Sequence, residues 1–105
     1  MKPKAIGAWS AAAALVALWT WSGNSAAQDV QARVWAASCA ACHGTGGRGA
    51  GAMPPLAGRP KGDLLKALLD FKADKRAATI MHQHAKGYTD QELERIAEYF
   101  SKVTR

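Results

Sequence analysis

Two thiols and an imidazole fall within one five-residue run, Cys39-Ala40-Ala41-Cys42-His43. In a C-x-x-C-H run, each cysteine can form a thioether to a vinyl group on the same edge of one porphyrin. The histidine that follows lies under the ring as the proximal iron ligand. The covalent links hold the imidazole close to the iron and keep the cofactor from dissociating. Other uses of the same residues fit less well. A simple disulfide would suit an exported chain. A thioredoxin-like dithiol needs a βαβ setting, and the chain has no strand pattern. A zinc site from Cys39, Cys42, His82 and His84 would require His-x-His, which is not the histidine spacing of structural zinc. The run is therefore read as the attachment site of a single haem c, with Cys39 and Cys42 as thioether partners and His43 as axial ligand.

An iron held by His43 has a second axial position. The stretch Met81-His82-Gln83-His84 offers a thioether and two imidazoles, and Met53 offers another thioether. A thioether is soft and neutral, favours ferrous iron and raises the reduction potential, whereas a second imidazole gives a lower one. Periodicity does not choose among them. In Met53-Pro54-Pro55-Leu56-Ala57-Gly58, Pro54 has no N–H but keeps a carbonyl that can accept from His43 Nδ1. That bond would fix the tautomer and raise the basicity of the iron-bound nitrogen. A rigid Pro-Pro turn would account for the same residues. Leu56 suits a haem-facing position. Gly44, Gly46, Gly47, Gly49 and Gly51 form no phosphate loop, since G-x-x-x-x-G-K-[ST] is absent. They are expected to let the backbone pass close to the haem edge. Arg48, among them, is free to face a propionate, a partner or solvent.

Three helices should position these groups. The first is expected from Asp29, as N-cap, to about Ala40, with Val30, Val34 and Ala37 on its inner face. The second starts at Gly62 or Asp63 and buries Leu64, Leu68 and Phe71, broadened by Leu65 and Leu69, with Lys66 and Asp70 paired outside. A solvated polar turn, 72–76, follows it. The last opens with a capping box, Thr89 to Glu92, and carries Leu93, Ile96, Ala97 and Phe100 as a core stripe against the first helix.

Ahead of the first helix, Lys2 and Lys4 precede an alanine-rich apolar stretch from Ala5 to about Trp21, then small residues through Ala26 and Ala27. Residues 1–27 are read as a cleaved signal peptide and 28–105 as one mature domain, with Ala26 the second choice of cleavage site. The stretch is short for an uncleaved anchor, so no stable membrane insertion is expected after cleavage. Loss of Lys2 and Lys4 lowers the formal charge of +6 by two. No basic run with interleaved aromatics suggests nucleic acid; the modest positive balance reads as a docking bias toward an acidic partner. Arg48, Arg59, Lys61 and Lys86 are open to that role. A domain this small buries only ~60% of its unfolded surface, so the haem must supply core, and the haem-free chain should fold poorly.

Over residues 28–105 the chain resembles class I cytochromes c. Their pattern is a helix, C-x-x-C-H, Pro-x-Leu-x-Gly, a methionine ligand and a final helix across the first. The corresponding parts are 29–40, 39–43, 54–58, Met81 and 89–103. The resemblance implies an all-α fold of about four helices around one covalently bound haem, Met81 as sixth ligand over His82 or His84, and a periplasmic location. The runs Ala78-Thr79-Ile80-Met81, Ala85-Lys86-Gly87-Tyr88 and Ala97-Glu98-Tyr99-Phe100 are similar to the cytochrome subunits of flavocytochrome c sulfide dehydrogenases. That likeness implies an FAD-containing subunit that oxidises sulfide as electron donor, and another cytochrome or a membrane complex as acceptor. This chain itself would carry single electrons and perform no catalysis alone. Some members of that family carry two haem domains, whereas this chain carries one. Two rivals remain: a free shuttle in a respiratory or photosynthetic chain, and a haem sensor or enzyme with an open distal site where His82 or His84 would serve as acid–base group.

Overall fold

The computed structural model describes residues 23–105. Four α-helices follow one another: α1 (Gly23–His43), α2 (Lys61–Lys72), α3 (Met81–Lys86) and α4 (Asp90–Lys102), with a 3-10 turn at Thr45–Gly47 after α1. No strand occurs among the described residues, only an isolated bridge between Ala50 and Met53. The expected all-α fold of about four helices is the observed one. Residues 1–22 of the expected signal peptide lie outside the described residues. No described helix is long and apolar enough to cross a membrane.

The core is organised on α4. Thr89 Oγ1 accepts from the Glu92 N–H at 3.2 Å, and Glu92 Oε2 accepts from the Thr89 N–H at 2.8 Å. Both bonds of the capping box satisfy orphan donors at the helix start. From there Leu93, Ile96, Ala97 and Phe100 are all buried, as their spacing requires. They pack against α1 and α2. The second helix adds buried Leu64, with Leu65, Leu68 and Leu69 partly covered. Outside, Lys66 Nζ meets Asp70 at 2.6 Å, one turn apart.

Helix α1 departs from expectation twice. It begins at Gly23, so Asp29 lies inside it and is not its N-cap. No proline or glycine interrupts 24–43, and alanine, the strongest helix former, fills much of the run. Its inner face is also not the valine stripe: Val30 and Val34 are 62% and 59% exposed, while Ala32 and Ala36 are buried. Two stripes of the same period were available. The buried one is continuous with Trp35 and Cys39, which pack on the core, and its small side chains let α1 lie close to Ala97 of α4. The larger valines are the ones left outside.

The turn after α1 depends on glycine at one position above all. Gly47 is buried at φ +72°, and a Cβ there would stand 2.5 Å from the Phe100 ring. Its carbonyl accepts from both the Leu56 and Ala57 N–H groups, at 2.7 and 2.9 Å. Gly47→Ala should therefore lose about 2–4 kcal/mol, combining left-handed strain with overpacking against Phe100. A thermal melt of the variant beside the parent protein checks this; an unchanged midpoint would contradict it.

Candidate functional site

The last turn of α1 delivers Cys39, Cys42 and His43 to the wall of a cavity of about 320 Å³. Spacings of three and four on a helix put these side chains on one side. Pro54 and Leu56 join them from the segment that follows, and Met81 and His84 from α3. Leu64, Leu68, Phe71 and Phe100 make much of the remaining wall. Met53 also lines the cavity, but His82 does not.

His43 is buried, and its two ring nitrogens have different fates. Nδ1 lies 2.7 Å from the Pro54 carbonyl oxygen. A carbonyl can only accept, so Nδ1 carries the proton and Nε2 of the neutral ring presents a lone pair. Nε2 is buried and has no hydrogen-bond partner. Leaving such a nitrogen unpaired costs about 1–3 kcal/mol, whereas imidazole in this tautomer is a ready metal ligand. The expected bond from Pro54 is thus present, and the nitrogen it leaves free is the one an iron would take.

The thiols differ in setting. Cys39 is half-buried and Cys42 exposed, and both are free. Burial pushes the Cys39 thiol above its ordinary range. No group of three or more His, Cys, Asp and Glu side chains could hold a metal ion among the described residues, so the alternative zinc set is not assembled.

The glycine expectation is not met. None of Gly44, Gly46, Gly47, Gly49 and Gly51 lines the cavity; their left-handed backbone shapes the turn beside it. Arg48 is likewise absent from the cavity wall: its Nε donates to the Thr104 carbonyl at 3.0 Å and its guanidinium also reaches Thr45 O. Arg59 and Arg76 do line the cavity, and no Asp or Glu does. Sequence reading placed Arg76 in a solvated turn. The missed signal was its place five residues ahead of Met81, at the start of the segment that closes the cavity.

A deep apolar cavity holding two thiols and an unpaired imidazole nitrogen suits a covalently bound haem. The sequence model for cytochrome c matches residues 27–104. The chain belongs to the cytochrome c family. Cytochromes c carry covalently attached haem c and transfer electrons, and this chain is a haem-binding electron carrier. It is 44% identical over 68 residues to the cytochrome subunit of sulfide dehydrogenase from Chlorobaculum tepidum, covering 65% of this chain and 62% of that protein. It is 40% identical over 70 residues to a thiosulfate dehydrogenase electron acceptor from Thiomonas intermedia, 65% of this chain and 32% of that one. With cytochrome c4 of Pseudomonas aeruginosa it shares 38% identity over 81 residues, 76% of this chain and 38% of that protein. The chain therefore spans less than two thirds of the first of these relatives and about a third of the others.

Most of the cavity wall is apolar side chain that lacks a packing partner when no haem is bound. Small domains are stable by only about 5–15 kcal/mol. The chain made in a host that cannot attach haem should therefore lack a cooperative thermal transition and show reduced far-ultraviolet helicity. Equal melting of haem-free and haem-loaded protein would contradict the cavity's structural role.

Proposed function

We propose that this cytochrome passes single electrons as the haem subunit of a periplasmic sulfide dehydrogenase whose partner subunit carries FAD. Cys39 and Cys42 would hold the haem by thioether bonds, and His43 and Met81 would bind its iron. The observation that carries this reading is the buried, unpaired Nε2 of His43 in a cavity that also receives both thiols and Met81. When bound, the haem supplies one-electron exchange between ferric and ferrous iron.

The chain's own residues set the conditions for that exchange. The Pro54 carbonyl holds the proton on His43 Nδ1 and orients the ring. Leu56 and the leucines of α2 keep water from the cavity. Met81 is preferred over His84, which also reaches the wall, because a thioether favours the ferrous state that a carrier must reach; His82 has no place there. Arg59 and Arg76, facing an acid-free wall, are suited to the two propionates. Residues 1–27 are the signal that exports the chain before haem attachment.

Two relatives support the sulfur reading by name: one is a subunit of a sulfide dehydrogenase, the other the electron acceptor of a thiosulfate dehydrogenase. The alternative is a free shuttle; a cytochrome c4 relative, whose name carries no dehydrogenase, is matched over more of this chain than either. Gentle native purification separates them. A flavin subunit travelling in stoichiometric ratio with the haem, and haem reduction on adding sulfide, would establish the subunit; a monomeric haem protein without flavin or sulfide response would establish the shuttle. For the sixth ligand, Met81→Ala should abolish the thioether signature of the ferric spectrum, lower the potential and let ferrous protein bind carbon monoxide. His84→Ala should do none of these. Ready carbon monoxide binding by the parent protein at neutral pH would sink the Met81 assignment.

A further inference from the structure

Met81 follows a connection with few main-chain ties. All eight residues from 73 to 80 are exposed, and residues 76–80 form part of the cavity wall. Main-chain bonds tie the start of this span, from Ala73, Asp74 and Lys75 back to Leu69, Phe71 and Asp70. Its end is tied where the Ile80 carbonyl accepts from Gln83 and His84. Between them, among the described residues, none of the main-chain hydrogen bonds outside the helices involves Arg76, Ala77, Ala78 or Thr79. Helix α3 has only six residues, too few to persist without outside support. It packs on α2, with Ala85 buried.

The shortest side-chain bridge across the span, in sequence, joins Asp74 to Lys86. Lys86 Nζ donates to both carboxylate oxygens of Asp74, at 2.9 and 2.7 Å. Asp74 holds φ +58°, the one positive φ outside glycine among the described residues. That conformation is unfavourable for most side chains but tolerated by aspartate. The Lys86 hydrogen bond also holds the Asp74 carboxyl below the usual carboxylate range, so the bridge persists into mild acid and is lost as pH falls through that lowered value. Among the described residues, Lys66–Asp70 and Lys102–Glu98 sit within single helices, and Lys61 joins α2 to Glu94 and Glu98 of α4. Two pairs enclose the segment that carries Met81: Lys72–Asp90, between the end of α2 and the start of α4, and inside it the tighter Asp74–Lys86.

We infer that Asp74 and Lys86 are positioning residues: they bracket residues 75–85 and keep Met81 seated on the iron. The inference rests on the Met81 ligand reading above. Without the bracket, the two ends of a flexible span must find each other each time the ligand returns, at an entropic disadvantage. Both side chains are partly exposed, so the pair acts modestly, on the scale of exposed ion pairs.

Exogenous imidazole tests this, because it reaches ferric iron only when Met81 has left. Binding is measured on the holoprotein at low ionic strength. Lys86→Ala and Asp74→Asn should each bind imidazole about two- to fivefold more tightly than the parent, the range that exposed pairs support. Asparagine is chosen because it tolerates the positive φ. Lys86→Arg should restore parental binding, and Lys66→Ala, which removes a charge outside the bracket, should leave it unchanged. Met81→Ala separates the two readings. If Met81→Ala binds imidazole as the parent does, Met81 is not the displaced ligand, and the ligand reading and the bracket fall together. If Met81→Ala opens the site while Lys86→Ala and Asp74→Asn match the parent, the bracket alone is overturned. Equal gains in Lys66→Ala and Lys86→Ala would also overturn it, since net charge would then suffice.

Discussion

The structure depends on the two different obligations of one buried imidazole. His43 Nδ1 donates to the Pro54 carbonyl, and Nε2 has no partner in the protein. The bond joins the end of α1 to the Pro-Pro segment, and further main-chain bonds hold that segment in place. The Gly49 N–H donates to the His43 carbonyl at 2.6 Å, Gly47 receives Leu56 and Ala57, and the Gly58 N–H reaches the Phe100 carbonyl at 2.9 Å. This chain of contacts runs from α1 to α4 without relying on a side chain other than His43. A ring fixed so firmly keeps its free nitrogen in one place, as the proposed ligation of an iron would require.

Much of this was legible in the sequence because it depends on local spacing. C-x-x-C-H is a covalent-geometry constraint, so its residues arrive together on one helix turn. The Thr89–Glu92 capping box and the Leu93, Ile96, Ala97, Phe100 stripe are likewise local, and both appear as read. The Pro54 carbonyl could be anticipated because a proline keeps its acceptor while losing its donor. Where sequence failed, the deciding contact was distant. Hydrophobicity ranks Val30 and Val34 above Ala32 and Ala36, yet close approach to α4 selects the alanines. The glycines after His43 suggested close passage by a flat cofactor. Their positive φ values and the Phe100 ring against Gly47 account for them instead. Arg48 was ambiguous until its carbonyl partner near the C-terminus, Thr104, was visible.

Charge placement follows a pattern that composition alone conceals. The lysines at 61, 66, 72, 86 and 102 all have carboxylate partners. Arginines are used differently: Arg76 lies over the Phe71 ring and Arg95 over Trp35, at 5.4 and 5.6 Å. Guanidinium is weakly hydrated and tolerates an aromatic neighbour better than ammonium does. It is therefore the cation that can stand at the edge of an apolar cavity without being drawn into solvent. Placing Arg59 and Arg76 there, with no acid on the cavity wall, leaves positive charge beside the cofactor site. Positive charge near an iron that loses one unit of charge on reduction favours the reduced state.

The two sides of the cavity are built to different standards, and the difference has a physical origin. On the His43 side, the Gly44 and Gly47 carbonyls accept main-chain bonds and the Pro54 carbonyl accepts from the His43 ring. On the Met81 side, the wall is an exposed connection followed by a six-residue helix. A thioether is a weaker ligand for ferric than for ferrous iron, so under the proposed ligation the hold of Met81 would fall on oxidation, on the side where the wall is an exposed connection. A fixed His43 ring would meanwhile keep its free nitrogen in place. On that reading the stability of the oxidised state would turn on how well the Met81 segment is held from outside, which would give the Asp74–Lys86 pair a part in setting the potential.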